Sequence, residues 1–139
     1  MLRITVTTEE ESGLCPVRSI LSTVTGKWSS LILLALEDGP MRFSAIKRTI
    51  GDITQRVLTE NLRALERDGY VTREVVPGPP VEVHYELTKT GANLVARFIP
   101  LVTWAAEHYE TVQAARQKYD AVHGIAGPTV APSSPAPSK

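Results

Sequence analysis

The sequence is short of cysteine, of net charge and of long apolar runs, and each shortage excludes something. One cysteine in 139 residues rules out a disulfide framework within the chain. No segment approaches the roughly 20 consecutive apolar residues of a spanning helix, so no membrane partner is expected. The opening residues, MLRITVTTEEESG, lack the basic start, apolar core and small-residue cleavage site of a secretory signal, so a cytoplasmic location is expected. Fifteen Lys+Arg balance fifteen Asp+Glu, so the chain as a whole is not drawn to nucleic acid. A glycine-rich phosphate loop, a GxSxG elbow and a histidine beside a nucleophile are all missing, which argues against an enzyme. His84, His108 and His123 lie far apart, and none stands at ligand spacing from Cys15. Neither a metal nor another cofactor is therefore expected.

Hydrophobic residues, in contrast, make up 42% of the chain. A chain near 150 residues can bury roughly 70% of the surface exposed on unfolding, enough for a core without staples. Composition divides the chain into three. Residues 1–14 are a polar acidic arm containing Glu9, Glu10 and Glu11, 15–123 form one globular domain, and 124–139 are a Pro/Ala/Ser-rich tail whose only charge is Lys139. Such a tail buries too little apolar surface to offset ordering and is expected to be disordered.

Within the domain the apolar spacing predicts helices and one hairpin. A first helix starts at Pro16 and carries Val17, Ile20, Leu21 and Val24. A second runs from about Lys27 to Glu37, burying Trp28, Leu31, Ile32, Leu34 and Leu36, and stops at Asp38-Gly39-Pro40. A short helix spans about Phe43 to Thr49, and a longer one about Thr54 to Arg67. Two strands follow, Tyr70 to Val76 and Val81 to Leu87, with alternating apolar positions in the second. From Lys89 a long helix carries Leu94, Phe98, Leu101, Ala105, Tyr109 and Val112 on one face, with Pro100 expected to bend it.

Two helices joined by a tight turn and followed by a hairpin make a mainly α fold with a small β-hairpin wing, a winged helix-turn-helix. Between Arg42 and Arg73 seven basic residues face four acidic ones, a local excess able to build a binding face on a neutral chain. In the helix from Thr54, Ile53, Leu58, Leu62 and Leu65 point inward. Arg56, Glu60, Arg63 and Arg67 centre on the opposite side, flanked by Gln55 and Thr59. Arginine can fork onto guanine, glutamine can pair with adenine, and threonine can meet a base edge or the thymine methyl. Gln55, Arg56 and Thr59, near the helix N-terminus, are the candidates for reading double-stranded DNA. Lys47, Arg63 and Arg73 are the candidates for its phosphates, joined by Arg67 and, with Lys47 on the surface of the preceding helix, by Arg42 and Arg48. The wing tip, Val76 to Pro80, has no Lys or Arg and is flanked by Glu74 and Glu82, leaving Arg73 and His84 as the wing's polar groups. Two alternatives stand beside this reading. The charged helix side could be an ordinary solvated face, and the winged helix could serve protein contact.

From Cys15 to about His108 the chain resembles the HxlR-type regulators, winged-helix proteins related to the MarR group. The matching pieces are CPV at 15–17, GKW at 26–28, RFSAI at 42–46, LTENLRALERDGYV at 58–71, HYELTKTG at 84–91, and Trp104 before Glu107-His108. The resemblance implies a homodimeric transcriptional regulator with N- and C-terminal dimerisation helices, acting as a repressor on an inverted-repeat operator. The stripe from Leu94 to Val112 then forms a dimer seam, or it only closes the core of the subunit.

Cys15 directly precedes Pro16 at a predicted helix N-terminus, where unpaired amides and the helix dipole favour a thiolate. HxlR-type proteins include regulators that sense oxidants or electrophiles through a cysteine at this place, so the resemblance implies redox sensing at Cys15 with a small-molecule oxidant or electrophile as effector. Oxidation here could give a bridge to a partner subunit, a mixed disulfide, an adduct or a sulfenic acid. An inert cysteine packed as a small hydrophobe is the other reading, and a regulator answering a small molecule without a thiol step remains open.

Overall fold

The computed structural model describes residues 16–124, in two units, 16–99 and 100–124. The acidic arm, Cys15 and the tail after Gly124 lie outside the described residues.

In the first unit, α1 (Pro16–Val24) is followed by α2 (Lys27–Ala35) and a 3-10 turn at Leu36–Asp38. Next come β1 (Met41–Arg42), α3 (Phe43–Ile50), α4 (Gln55–Arg67), β2 (Val71–Val76) and β3 (Glu82–Leu87). α5 (Lys89–His123) begins in this unit and continues through Pro100 into the second. The core is where the period-3.6 pattern of α4 puts it: Leu58, Leu62 and Leu65 are all buried, as is Ile53 just before the helix, joined by Ile32, Leu33, Leu36, Ile46, Val71, Tyr85 and Val95. Ser29 is the buried polar residue of α2, and its hydroxyl donates to Asn61 Oδ1 of α4 at 3.1 Å. Asn61 in turn donates to the Val57 carbonyl at 2.8 Å, so the contact between α2 and α4 is polar yet satisfied.

One expectation needs correction, and two features go beyond what was expected. Leu31 is exposed, and Leu33 is buried in its place. Residues 31–36 read LILLAL, and a run that is apolar throughout cannot show which side faces inward. In α1 only Val24 is buried, while Ile20 and Leu21 are exposed. The hairpin, finally, is part of a three-stranded antiparallel sheet of order β1-β3-β2. β1 pairs Met41 with Tyr85 and Arg42 with His84, a strand too short for alternation to reveal.

Gly51 and Gly91 are demanded by geometry. Gly51 ends α3 at φ 95°, a left-handed conformation that turns the chain toward α4 at little steric cost. Gly91, in the first turn of α5, is packed against the backbone of the turn before β2. A Cβ there would lie 2.1 Å from the Tyr70 carbonyl oxygen. Thr88 draws the same two segments together. Its backbone N–H donates to the Tyr70 carbonyl at 3.0 Å, its hydroxyl donates to the Gly69 carbonyl at 2.5 Å, and the Gly91 N–H donates to that hydroxyl at 3.0 Å.

The α5 stripe divides. Leu94 and Phe98 pack on the core of the first unit. In the second unit Leu101, Val102, Trp104, Tyr109, Tyr119 and Val122 are exposed, Leu101 at 59% and Trp104 at 53%. Trp104 stacks on His108 with ring centroids 4.3 Å apart, and Tyr119 stacks on His123 at 3.8 Å. Among the described residues, no single helix is long and apolar enough to cross a membrane.

Candidate nucleic-acid interface

The outward face of α4 is set by what holds its inward one. Leu58, Leu62 and Leu65 fix the helix in the core, and the Thr54 hydroxyl caps its start by accepting from the Val57 N–H at 3.2 Å. Gln55, Arg56, Glu60, Arg63 and Arg67 are then exposed, and Thr59 is half-buried. The Arg56 guanidinium donates through Nε to Glu60 Oε1 at 3.1 Å. The Thr59 hydroxyl donates to the Gln55 carbonyl at 2.8 Å, leaving its lone pairs and methyl for a ligand. A helix whose back is immobilised presents this face with little freedom of rotation.

Arg42 sits differently from the sequence reading, which grouped it with the surface of the preceding helix. It belongs to β1 and stands at the N-cap of α3, with its guanidinium ion-paired to Glu82 on β3. The other oxygen of the same carboxylate lies 3.0 Å from His84 Nε2. The hydrogen bond with His84 lowers the Glu82 pKa most, partial burial opposes it, and the charges of Arg42 and His84 lower it further. Nothing in the spacing of residues 42 and 82 announces this cluster. It forms only because β1 pairs with β3.

Strand register separates the wing's two polar candidates. Arg73 is opposite Tyr85 and shares its sheet face, whereas His84, opposite Glu74, is on the other. Gln55 and Thr59 of α4 are brought together with Arg42, Glu82, Val83 and Tyr85 around a cleft of about 520 Å³. Lys47 and Arg48 flank a smaller hollow of about 370 Å³ with Ser44 and Gly51. Lys47 is half-buried, while Arg48, Arg63, Arg67 and Arg73 are exposed. Among the described residues, none of these five basic side chains makes an ion pair, in contrast to Arg42 and Arg56. Glu60 and Glu82 are the partners of these two arginines, a role that their charge alone does not announce. For Glu60 the i,i+4 spacing from Arg56 was the available signal.

Comparison with known proteins agrees with this architecture. A family model described as HxlR-like helix-turn-helix matches residues 23–113. The HTH-type transcriptional regulator YodB of Bacillus subtilis is 41% identical over 98 residues, which cover 70% of this chain and 88% of YodB. The solved structure of the transcriptional regulator YtfH of Salmonella typhimurium superposes with a TM-score of 0.71 at 35% identity, covering 80% of this chain and 99% of that one. The redox regulator HypR, solved in its oxidized form, gives a TM-score of 0.63 at 39% identity, covering 67% of this chain and 96% of HypR.

Proposed function

Because the chain belongs to the HxlR-like helix-turn-helix family, and so is a transcriptional regulator with a winged helix-turn-helix and not an enzyme, we propose how it acts. It binds an inverted-repeat operator as a homodimer, with α4 in the major groove, and represses transcription by occupying the site. The observation that carries this reading is the exposed outer face of α4 on a helix fixed from behind. Gln55, Arg56 and Thr59 read base edges there, and Lys47, Arg63 and Arg73 hold phosphates. Arg42 reaches a phosphate only by leaving Glu82. Replacing Glu82 with glutamine is therefore expected to raise DNA affinity roughly two- to fivefold, the scale of an exposed ion pair. Fluorescence anisotropy checks this, and an unchanged affinity removes Arg42 from the contact set.

The dimer is supported by apolar surface that the single chain leaves uncovered. Ile20 and Leu21 in the first unit, and Leu101, Trp104 and Tyr109 in the second, are exposed. A second copy of the chain would cover such residues, and its two-fold axis would set the two α4 helices about 34 Å apart on successive major grooves. A sedimentation mass near twice 15.2 kDa is expected for the free protein.

Redox control through Cys15 is supported by its place directly before Pro16, the first residue of α1, and by the likeness to HypR. Oxidant or electrophile modification next to α1 would disturb the dimer and with it the spacing of the reading helices. The deciding experiment is anisotropy of the reduced protein on DNA from its own promoter and on a scrambled control, over several salt concentrations, before and after diamide. Selective binding that weakens steeply with salt is expected, because Lys and Arg release counterions from the phosphates they neutralise. Diamide should release the wild type and spare Cys15→Ser. Release of the variant as well would overturn thiol sensing and leave the regulator standing. Loss of all selectivity for promoter DNA, in a random-sequence selection too, would overturn DNA reading in favour of protein contact.

A further inference from the structure

Glu60 lies on the face of α4 that carries the base-reading candidates, where its charge opposes the approach of phosphate. Its carboxylate accepts from Arg56 Nε at 3.1 Å, with the two side chains 87% and 59% exposed. Two features set this pair apart from a helix brace. The first is its order. An i,i+4 pair supports a helix better when the acid precedes the base, because the helix dipole favours negative charge at the N-terminus. Here the base comes first, in an opening turn that contains no acid.

The second feature is the atom used. Nε lies on the side edge of the guanidinium, so contact there leaves unoccupied the end-on pair of N–H groups, one on Nη1 and one on Nη2. Among the described residues these terminal nitrogens make no hydrogen bond. Guanine offers O6 and N7 side by side in the major groove, a match for that two-pronged end. An arginine that keeps its full rotamer freedom can reach many phosphates and bases. One gripped along its Nε edge has fewer orientations in which to do so.

We propose that Glu60 is a positioning residue for base selection: it holds the Arg56 guanidinium by its Nε edge so that the free end meets guanine, at the expense of overall DNA affinity. The inference rests on the reading of α4 as the DNA-reading helix. It makes Glu60 a determinant of specificity that touches no base itself.

The test uses the full chain and duplexes that the wild type recovers from a random-sequence pool, together with the same duplexes substituted one base pair at a time. Arg56→Ala identifies the base pair that depends on Arg56. At that pair Glu60→Ala is expected to lower discrimination at least about threefold, part of the roughly 5- to 150-fold that a bidentate contact supplies. The same variant should bind every duplex more tightly, scrambled DNA included. Glu60→Gln, which keeps an acceptor at the same reach, should share the gain in affinity and retain most of the discrimination. Melting temperatures within a few degrees of wild type would accompany these changes, since an exposed pair contributes little stability. If Glu60→Ala shifts all affinities by one common factor while Arg56→Ala still relaxes a base preference, positioning by Glu60 is overturned alone. If Arg56→Ala relaxes no base preference, the assignment of Arg56 as a base reader falls, and this inference with it.

Discussion

Gly91→Ala is expected to destabilise the fold by about 3 kcal/mol, lowering the melting temperature on the order of 10 °C. The sign is opposite to what propensity alone would give. In an exposed helix interior, glycine to alanine stabilises by about 1 kcal/mol, because alanine loses less backbone freedom. At Gly91 the added Cβ would meet the Tyr70 carbonyl oxygen at 2.1 Å, and that oxygen is backbone, already accepting the Thr88 N–H. No side-chain rotamer can relieve the contact. Either α5 withdraws from the Gly69-Tyr70 turn, breaking the Thr88 hydrogen bonds, or the turn moves and disturbs the buried Tyr70 and Val71. Thermal unfolding followed by circular dichroism decides the matter. A melting temperature equal to or above wild type would mean that α5 does not press on this turn.

Arg56→Ala is expected to cost about 1–3 kcal/mol of operator affinity, or about 5- to 150-fold, and to relax preference at one base pair in each half-site. The upper part of that range is favoured by Glu60. With Arg56 gone, its carboxylate keeps its place on the outer face with no cation to offset it against the phosphates. Stability should be nearly unchanged, because Arg56 is almost fully exposed and its ion pair is a surface one. Anisotropy on matched and substituted duplexes measures both quantities. A uniform loss on every sequence would make Arg56 a phosphate contact, and no loss would take it out of the interface.

The contrast between these two positions mirrors what could be read from the sequence. The inward set of α4 was legible because Leu58, Leu62 and Leu65 repeat at helical spacing among charged neighbours. The outer face followed by subtraction. Leu31 and Leu33 were exchanged because a continuous apolar run carries no phase, and β1 was invisible because two residues cannot alternate. Arg42 was misplaced for the same reason, since its surroundings depend on a strand pairing some forty positions away. Gly91 ends the matching piece HYELTKTG, but nothing in that run gives its reason, which is a carbonyl of another segment. Both open readings of the α5 stripe find residues to stand on. Leu94 and Phe98 close the core of the first unit, while Leu101 and those beyond it are left uncovered.

The sheet order leaves β2 on the outside, with Thr72 to Val76 all exposed and Val75 and Val76 at its far end. An open strand edge is a template for pairing with another molecule, and proteins blunt such edges with charge and proline. Arg73, Glu74 and the following Pro77 stand where that guard is needed. Arg73 thus puts charge on an open strand edge as well as being a proposed phosphate ligand. An alanine scan of the wing will mix the two roles, and weak DNA binding by Arg73→Ala counts as a lost contact only where light scattering shows the variant still monodisperse.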